Sequence, residues 1–124
     1  MRNFNSEEIN NLIASRRSIY PKMYTGESVA NDIIEQMLAN ANWAPTHKVT
    51  EPWRFRVFTG EGLKKLADFQ AERYKARAGD SFDERKYEKQ KSSPLKASHV
   101  IAIGMKRNEI VPEIEEVMAV ACAV

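Results

Sequence analysis

The sequence predicts one mixed domain of helices and strands, with helix in excess. Three observations carry that prediction. Apolar residues recur at helical spacing in several separate segments. Two short runs, "WRFRVFTG" and "SHVIAIGM", have the patterns of strands instead. A length of 124 residues supplies one hydrophobic core and not comfortably two, so residues 1–124 read as a single domain.

Ser6 is the expected cap of a first helix, because its hydroxyl can accept from the free N–H groups of the first turn. Ile9, Leu12 and Ile13 fall on one face of that helix. "SRRSIYPKMYTGES" follows as a loop, since Pro21 and Gly26 interrupt helical backbone. Ser28 then caps a second helix whose Ile33, Ile34, Met37, Leu38 and Ala41 form a broad apolar stripe. This helix should end near Ala44, because a residue before proline avoids helical angles.

Next, "WRFRVFTG" alternates at period 2 and reads as a strand closed by Gly60 and Gly62. A third helix is expected from Leu63 towards Ala78, with Leu63, Leu66, Ala67 and Tyr74 inward. "AGDSFDERKYEKQKSSP" mixes both signs of charge and reads as a solvated helix or mobile loop rather than a binding patch. "SHVIAIGM" is almost wholly apolar, the pattern of a strand covered on both faces. Pro112 opens a last helix, with Ile114, Val117, Met118 and Ala121 along one side of it. That helix reaches "AVACAV" without glycine, cap or polar tail, and two strands make an incomplete sheet. The expectation is that a partner subunit completes the fold or that residues beyond Val124 belong to it.

Composition narrows the function classes. Hydrophobic residues make up 43% and charged residues 29%, an ordinary globular balance. A net charge of +2 gives little electrostatic basis for a dedicated nucleic-acid binder. It argues equally against a basic adaptor that would use Arg54 and Arg56 among the aromatics of "PWRFRVF". The single Cys122 excludes an internal disulfide and a cysteine-pair metal site, which fits a reducing, cytoplasmic setting. No apolar run suits a signal peptide or a membrane span. Glycine-rich phosphate loops, HExxH and Gly-x-Ser-x-Gly are all missing, so neither metal nor nucleophile is expected. Demanding chemistry would then come from an organic cofactor.

Three places hold the candidate residues. Arg16, Arg17 and Ser18 end the first helix with two planar donor forks and a hydroxyl, a set that suits a phosphate. Cations there also complement the negative end of the helix dipole, so the motif alone is weak. The stretch "WAPTHKVTEPWRF" brings two prolines, two tryptophans, His47 and Lys48 into one connection. His47 can hydrogen-bond a ligand or move protons near neutral pH, or simply bond loop backbone. Trp43 and Trp53 can wall a flat aromatic ligand or serve the core. His99 and Lys48 read as structural and surface residues.

Together these segments resemble the front half of the FMN-dependent nitroreductase family, in its compact bacterial form. The resemblance rests on Arg16-Arg17-Ser18, on Ala44-Pro45-Thr46-His47-Lys48 and on Glu51-Pro52-Trp53-Arg54-Phe55, matched in order and spacing. "SHVIAIGM" and "EEVMAVACAV" fall where the family has a strand and its long central helix. The resemblance implies an α+β nitroreductase-like fold, a mixed or antiparallel sheet flanked by helices, and an intertwined homodimer with FMN at the interface. It implies that Arg16, Arg17 and Ser18 hold the phosphate, ribityl chain and ring edge. The segment around His47 would reach the flavin bound mainly to the other subunit. Trp43 joins this cofactor-binding set at a position where the subgroup can carry an arginine.

No catalytic side chain is assigned by the resemblance. NADH or NADPH would reduce the flavin, and a nitroaromatic, quinone or similar acceptor would reoxidise it in a ping-pong cycle. Glu51 replaces the family's usual glutamine, and a carboxylate there is expected to disfavour anionic reduced FMN. The family also continues for a further third of its length with more strands and cofactor contacts. A chain that ends at Val124 is therefore expected to lack that part. The alternative function is a non-enzymatic flavin-binding or interaction module, or an inactive truncated fragment.

Overall fold

Asn5, not Ser6, starts the first helix: its Oδ1 accepts from the backbone N–H groups of Glu7 and Glu8 at 3.0 and 3.4 Å. Asparagine caps as well as serine, and Asn5 has the extended angles a cap requires. The structure, a computed structural model, describes residues 4–124. The reading of the extreme N-terminus at residues 1–3 lies outside them. Helix α1 spans Ser6–Ser15, and none of its residues is buried.

Helix α2 spans Asn31–Ala41 and begins after Ala30, two residues later than a Ser28 cap would place it. Ala30 offers no capping side chain; the Asp32 carboxylate accepts from the Ile33 N–H at 2.9 Å in the first turn. Ile34 is buried, while Ile33 and Met37 remain half-exposed. The helix ends at Ala41, and the chain turns through Asn42 and Trp43 towards Pro45.

Strands β1 (Trp53–Thr59) and β2 (His99–Met105) pair antiparallel, with Trp53 opposite Met105 and Thr59 opposite His99. Gly60 follows β1 with φ +51°, a left-handed angle that glycine adopts without a Cβ penalty. This sharp turn feeds directly into α3 (Glu61–Ala78), which buries Leu63, Ala67 and Ala71 at intervals of four. Leu66 and Tyr74 are half-buried beside them.

The charged segment resolves into a helix, α4 (Glu84–Ser92), capped by the Asp83 carboxylate at 2.8 and 3.4 Å from two backbone N–H groups. Three aromatic rings fix it to α3. Phe82 lies with its ring centroid 5.9 Å from both Tyr74 and Tyr87. The Tyr74 hydroxyl accepts from the Asp83 N–H at 2.9 Å, and the Tyr87 hydroxyl donates to Glu72 at 2.7 Å.

One expectation is corrected here. β2 is not covered on both faces: it is half-buried at His99–Ile101 and exposed from Ala102 to Met105. With β1 as its one neighbour among the described residues, half of its apolar run has nothing to pack against. Helix α5 spans Glu113–Cys122 and keeps the apolar side seen in its sequence outward. Its inner side carries Glu116 and Ala119, with Ala123 just beyond, while Ile114, Val117 and Met118 are 63%, 45% and 61% exposed. The reason is close packing. Alanines let the helix approach the Trp53 indole, which bulky Ile114 or Met118 would hold away.

Trp53, 5% exposed, is the centre of the core with Ala119 and Ala123; Ala41, Ala44, Phe55 and Val120 surround it. Its indole N–H donates to Asn42 Oδ1 at 2.9 Å, so the buried donor is satisfied. One side chain thus ties together the end of α2, the start of β1 and the end of α5. The result is a helix-rich α+β fold with a small antiparallel sheet. Among the described residues no helix is long and apolar enough to cross a membrane.

Candidate functional site

The first candidate group sits where α1 ends. Arg16 Nη1 lies 3.5 Å from Ser18 Oγ, the outer limit of a hydrogen bond, and both side chains are exposed. Arg17 turns back instead: its Nη1 donates to the carbonyls of Ala14 and Arg16 at 2.7 and 2.8 Å. Arg17 therefore satisfies free carbonyls at the helix C-terminus. Among the described residues neither arginine is ion-paired. The arrangement offers an anion one open guanidinium and one hydroxyl.

The second group is the connection between α2 and β1, whose shape is costly. Lys48, Val49 and Glu51 have φ of +53°, +53° and +42°, and none is glycine. Left-handed backbone disfavours any residue with a Cβ by roughly 1–2 kcal/mol, and β-branched valine more than most. Such strain persists only where surrounding contacts over-determine the conformation. Those contacts are visible. Pro52 is fully buried, and its carbonyl accepts from the Lys106 N–H at 2.7 Å. The Arg54 guanidinium donates to the Glu51 carbonyl at 2.9 Å.

Two further pins cross to the far end of the chain. His47 Nδ1 lies 2.5 Å from Glu115 Oε2 in the first turn of α5, and Lys48 Nζ donates to the Ile110 carbonyl at 3.4 Å. His47 and Glu115 remain 54% and 40% exposed, so solvent screens their attraction. Together with Pro45, Thr46, Met118, Ala119 and Cys122 they line an open groove of about 360 Å³. The groove is mostly apolar with a charged rim.

The two tryptophans separate completely. Trp53 is core, whereas Trp43 is 87% exposed beside the strained loop. They do not face each other across a ligand slot. His99 is structural: its Nδ1 meets Ser98 Oγ at 3.1 Å and its Nε2 meets Asn31 Oδ1 at 3.0 Å. Arg16 and Ser18 are brought together, as are His47 and the Pro45–Thr46 turn. Among the described residues no hydrogen bond joins the first group to the second.

Residues that the sequence left unremarked support the second group. Glu116 is 1% exposed and accepts from Arg107 Nη1 at 2.5 Å and from the Asn108 N–H at 3.0 Å to either oxygen. Arg107 Nη2 also donates to the Val111 carbonyl at 2.9 Å. This clamp sets where α5 begins, and hence where Glu115 stands. The only signal for either glutamate was an acidic first turn, which is also the ordinary complement of a helix dipole.

Comparison with known proteins agrees with this architecture. The model of the "Nitroreductase family" matches residues 13–124. "Putative NAD(P)H nitroreductase YdjA" of Escherichia coli (strain K12) is 31% identical over 102 residues, 81% of this chain and 51% of that protein. The crystal structure of a nitroreductase-like family protein from Bacillus cereus superimposes with a TM-score of 0.72 and 29% identity, over 99% of this chain and 62% of that one. An "FMN-dependent Nitroreductase" from Clostridium difficile R20291 gives a TM-score of 0.62 at 20% identity, over 96% and 56%. The chain thus spans about half the length of the curated relative and under two thirds of each structure. Family match, relatives and fold converge: the chain belongs to the nitroreductase family.

Proposed function

We propose that this chain belongs to an oxidoreductase that binds FMN and uses NADH or NADPH to reduce nitroaromatics, quinones or related acceptors. The observation that carries the proposal is the Arg16–Ser18 pair: an exposed guanidinium, without an ion pair among the described residues, with a hydroxyl in reach, at the position of the family's Arg-Arg-Ser motif. That donor set fits a phosphate monoester, whose charged oxygens take charge-assisted hydrogen bonds from both arginine and serine. Family membership, the nicotinamide-linked relative and the FMN-dependent structural neighbour support the cofactor choice.

In this reading the protein's part is binding and orientation. Arg16 and Ser18 hold the phosphate, while Arg17 neutralises the carbonyl end of α1 that would otherwise repel it. His47 and Trp43, both exposed beside the strained loop, stand ready for the flavin of a second copy of the chain. The exposed apolar side of α5 and the wholly exposed α1 support homodimer formation, since patches of that kind mark interaction surfaces. When bound, FMN would supply the two-electron redox chemistry between nicotinamide and acceptor. Nicotinamide and acceptor would then occupy one position in turn.

Steady-state oxidation of NADH and NADPH with a nitroaromatic acceptor tests the proposal. Turnover that requires added FMN, with parallel double-reciprocal lines, is the expected result. FMN binding with no turnover against any acceptor would leave a flavin-binding module and reject the enzyme.

A further inference from the structure

The strained connection is held by two consecutive side chains that reach the same place: His47 to Glu115, and Lys48 to the Ile110 carbonyl just before α5. The helix dipole favours acidic residues in this first turn, but it does not account for the aim of Glu115 at His47. Glu115 is half-exposed, it makes no other hydrogen bond or ion pair among the described residues, and its neighbour Glu116 already holds the start of the helix. Its carboxylate, 2.5 Å from one ring nitrogen, distinguishes the two nitrogens of His47. An ionised carboxylate can only accept, so in this pair Nδ1 is the nitrogen that carries the proton. Nε2 is then the nitrogen left to accept from a ligand.

We infer that Glu115 is a positioning residue: it fixes His47 on the strained loop with Nδ1 protonated and Nε2 presented to the flavin-binding site. The inference rests on the FMN reading above for what Nε2 meets, and on geometry alone for how His47 is held. Glu115 acts through His47, as a carboxylate orients a ring whose other nitrogen does the work. The loop's left-handed residues give this contact its purpose. Without the tether, Lys48 and Val49 can relax towards favoured angles and carry the imidazole away.

The test is long-range proton–nitrogen NMR of the histidine side chains in the purified protein, with His47 assigned by its loss in His47→Gln. Wild type should show His47 protonated at Nδ1 when neutral. Glu115→Gln keeps a carbonyl acceptor and should preserve that tautomer; Glu115→Ala should give mixed tautomers with an unchanged far-ultraviolet spectrum. FMN dissociation constants should follow the same order, with Glu115→Gln near wild type and Glu115→Ala weakened several-fold. An unchanged His47 tautomer in Glu115→Ala would overturn the inference. So would a changed tautomer with unaltered FMN affinity in a protein whose wild type binds FMN. If wild type leaves FMN unperturbed, the flavin reading and the ligand half of the inference fall together. The tautomer series still decides whether Glu115 positions His47.

Discussion

Glu116 shows how much of this molecule depends on single buried groups. Its carboxylate, sealed from solvent, accepts from Arg107 and from the Asn108 backbone, so removing it leaves the Asn108 N–H without its acceptor and takes the ion-pair partner from Arg107, which keeps its bond to the Val111 carbonyl. A buried donor without a partner costs about 1–3 kcal/mol. Glu116→Ala should therefore lower the urea-unfolding free energy by about that amount, while Glu113→Ala, exposed in the same turn, should stay near wild type. Little of this was legible in the sequence, where three glutamates in one first turn look alike. Periodicity separates apolar from polar faces but cannot say which carboxylate meets an arginine nine positions away. Arg16 and Ser18 were legible because their chemistry is local, separated by one residue. The His47–Glu115 contact joins residues 68 apart, and no spacing rule encodes it.

At the scale of elements, the α3–α4 pair is the clearest case of packing deciding what composition left open. "AGDSFDERKYEKQKSSP" allowed a solvated helix or a loop; Tyr74, Phe82 and Tyr87 settle it by stacking the second helix on the first. The Tyr87 hydroxyl donates to Glu72, and this bond, aided by nearby carboxylates, holds the phenol above the ordinary tyrosine value near 10. A folded-state value raised above the unfolded one gives stability that is present below the unfolded value. That stability is lost as pH rises through the folded value. Tyr87→Phe should accordingly unfold at lower urea than wild type at neutral pH, and the two midpoints should converge above the tyrosine range. Strand β1 and helix α3 were readable because alternation and glycine punctuation are strong local signals. The facing of α5 was not, because its apolar residues run nearly all round, and Trp53 selected the side lined by small ones.

For the whole molecule, the outstanding feature is apolar surface without cover: Leu12 and Ile13 on α1, and Ile114, Val117 and Met118 on α5. The α+β class could be read from two strand patterns among helical ones, and the family from three ordered motifs. How the ends of the chain assemble could not, since hydrophobic periodicity reports that a face is apolar and not what it meets. On the proposed function, this fold anchors a flavin through Arg16 and Ser18. The most direct measurement is a visible-absorbance titration of the purified protein with FMN, repeated on Arg16→Ala. A perturbed flavin spectrum that saturates near one flavin for each chain is predicted for wild type. Loss of a charge-assisted bond, about 1.5–3 kcal/mol, should weaken the variant by roughly 10–100-fold. A wild-type protein that leaves the FMN spectrum unchanged, or an Arg16→Ala protein that binds as tightly, would contradict it.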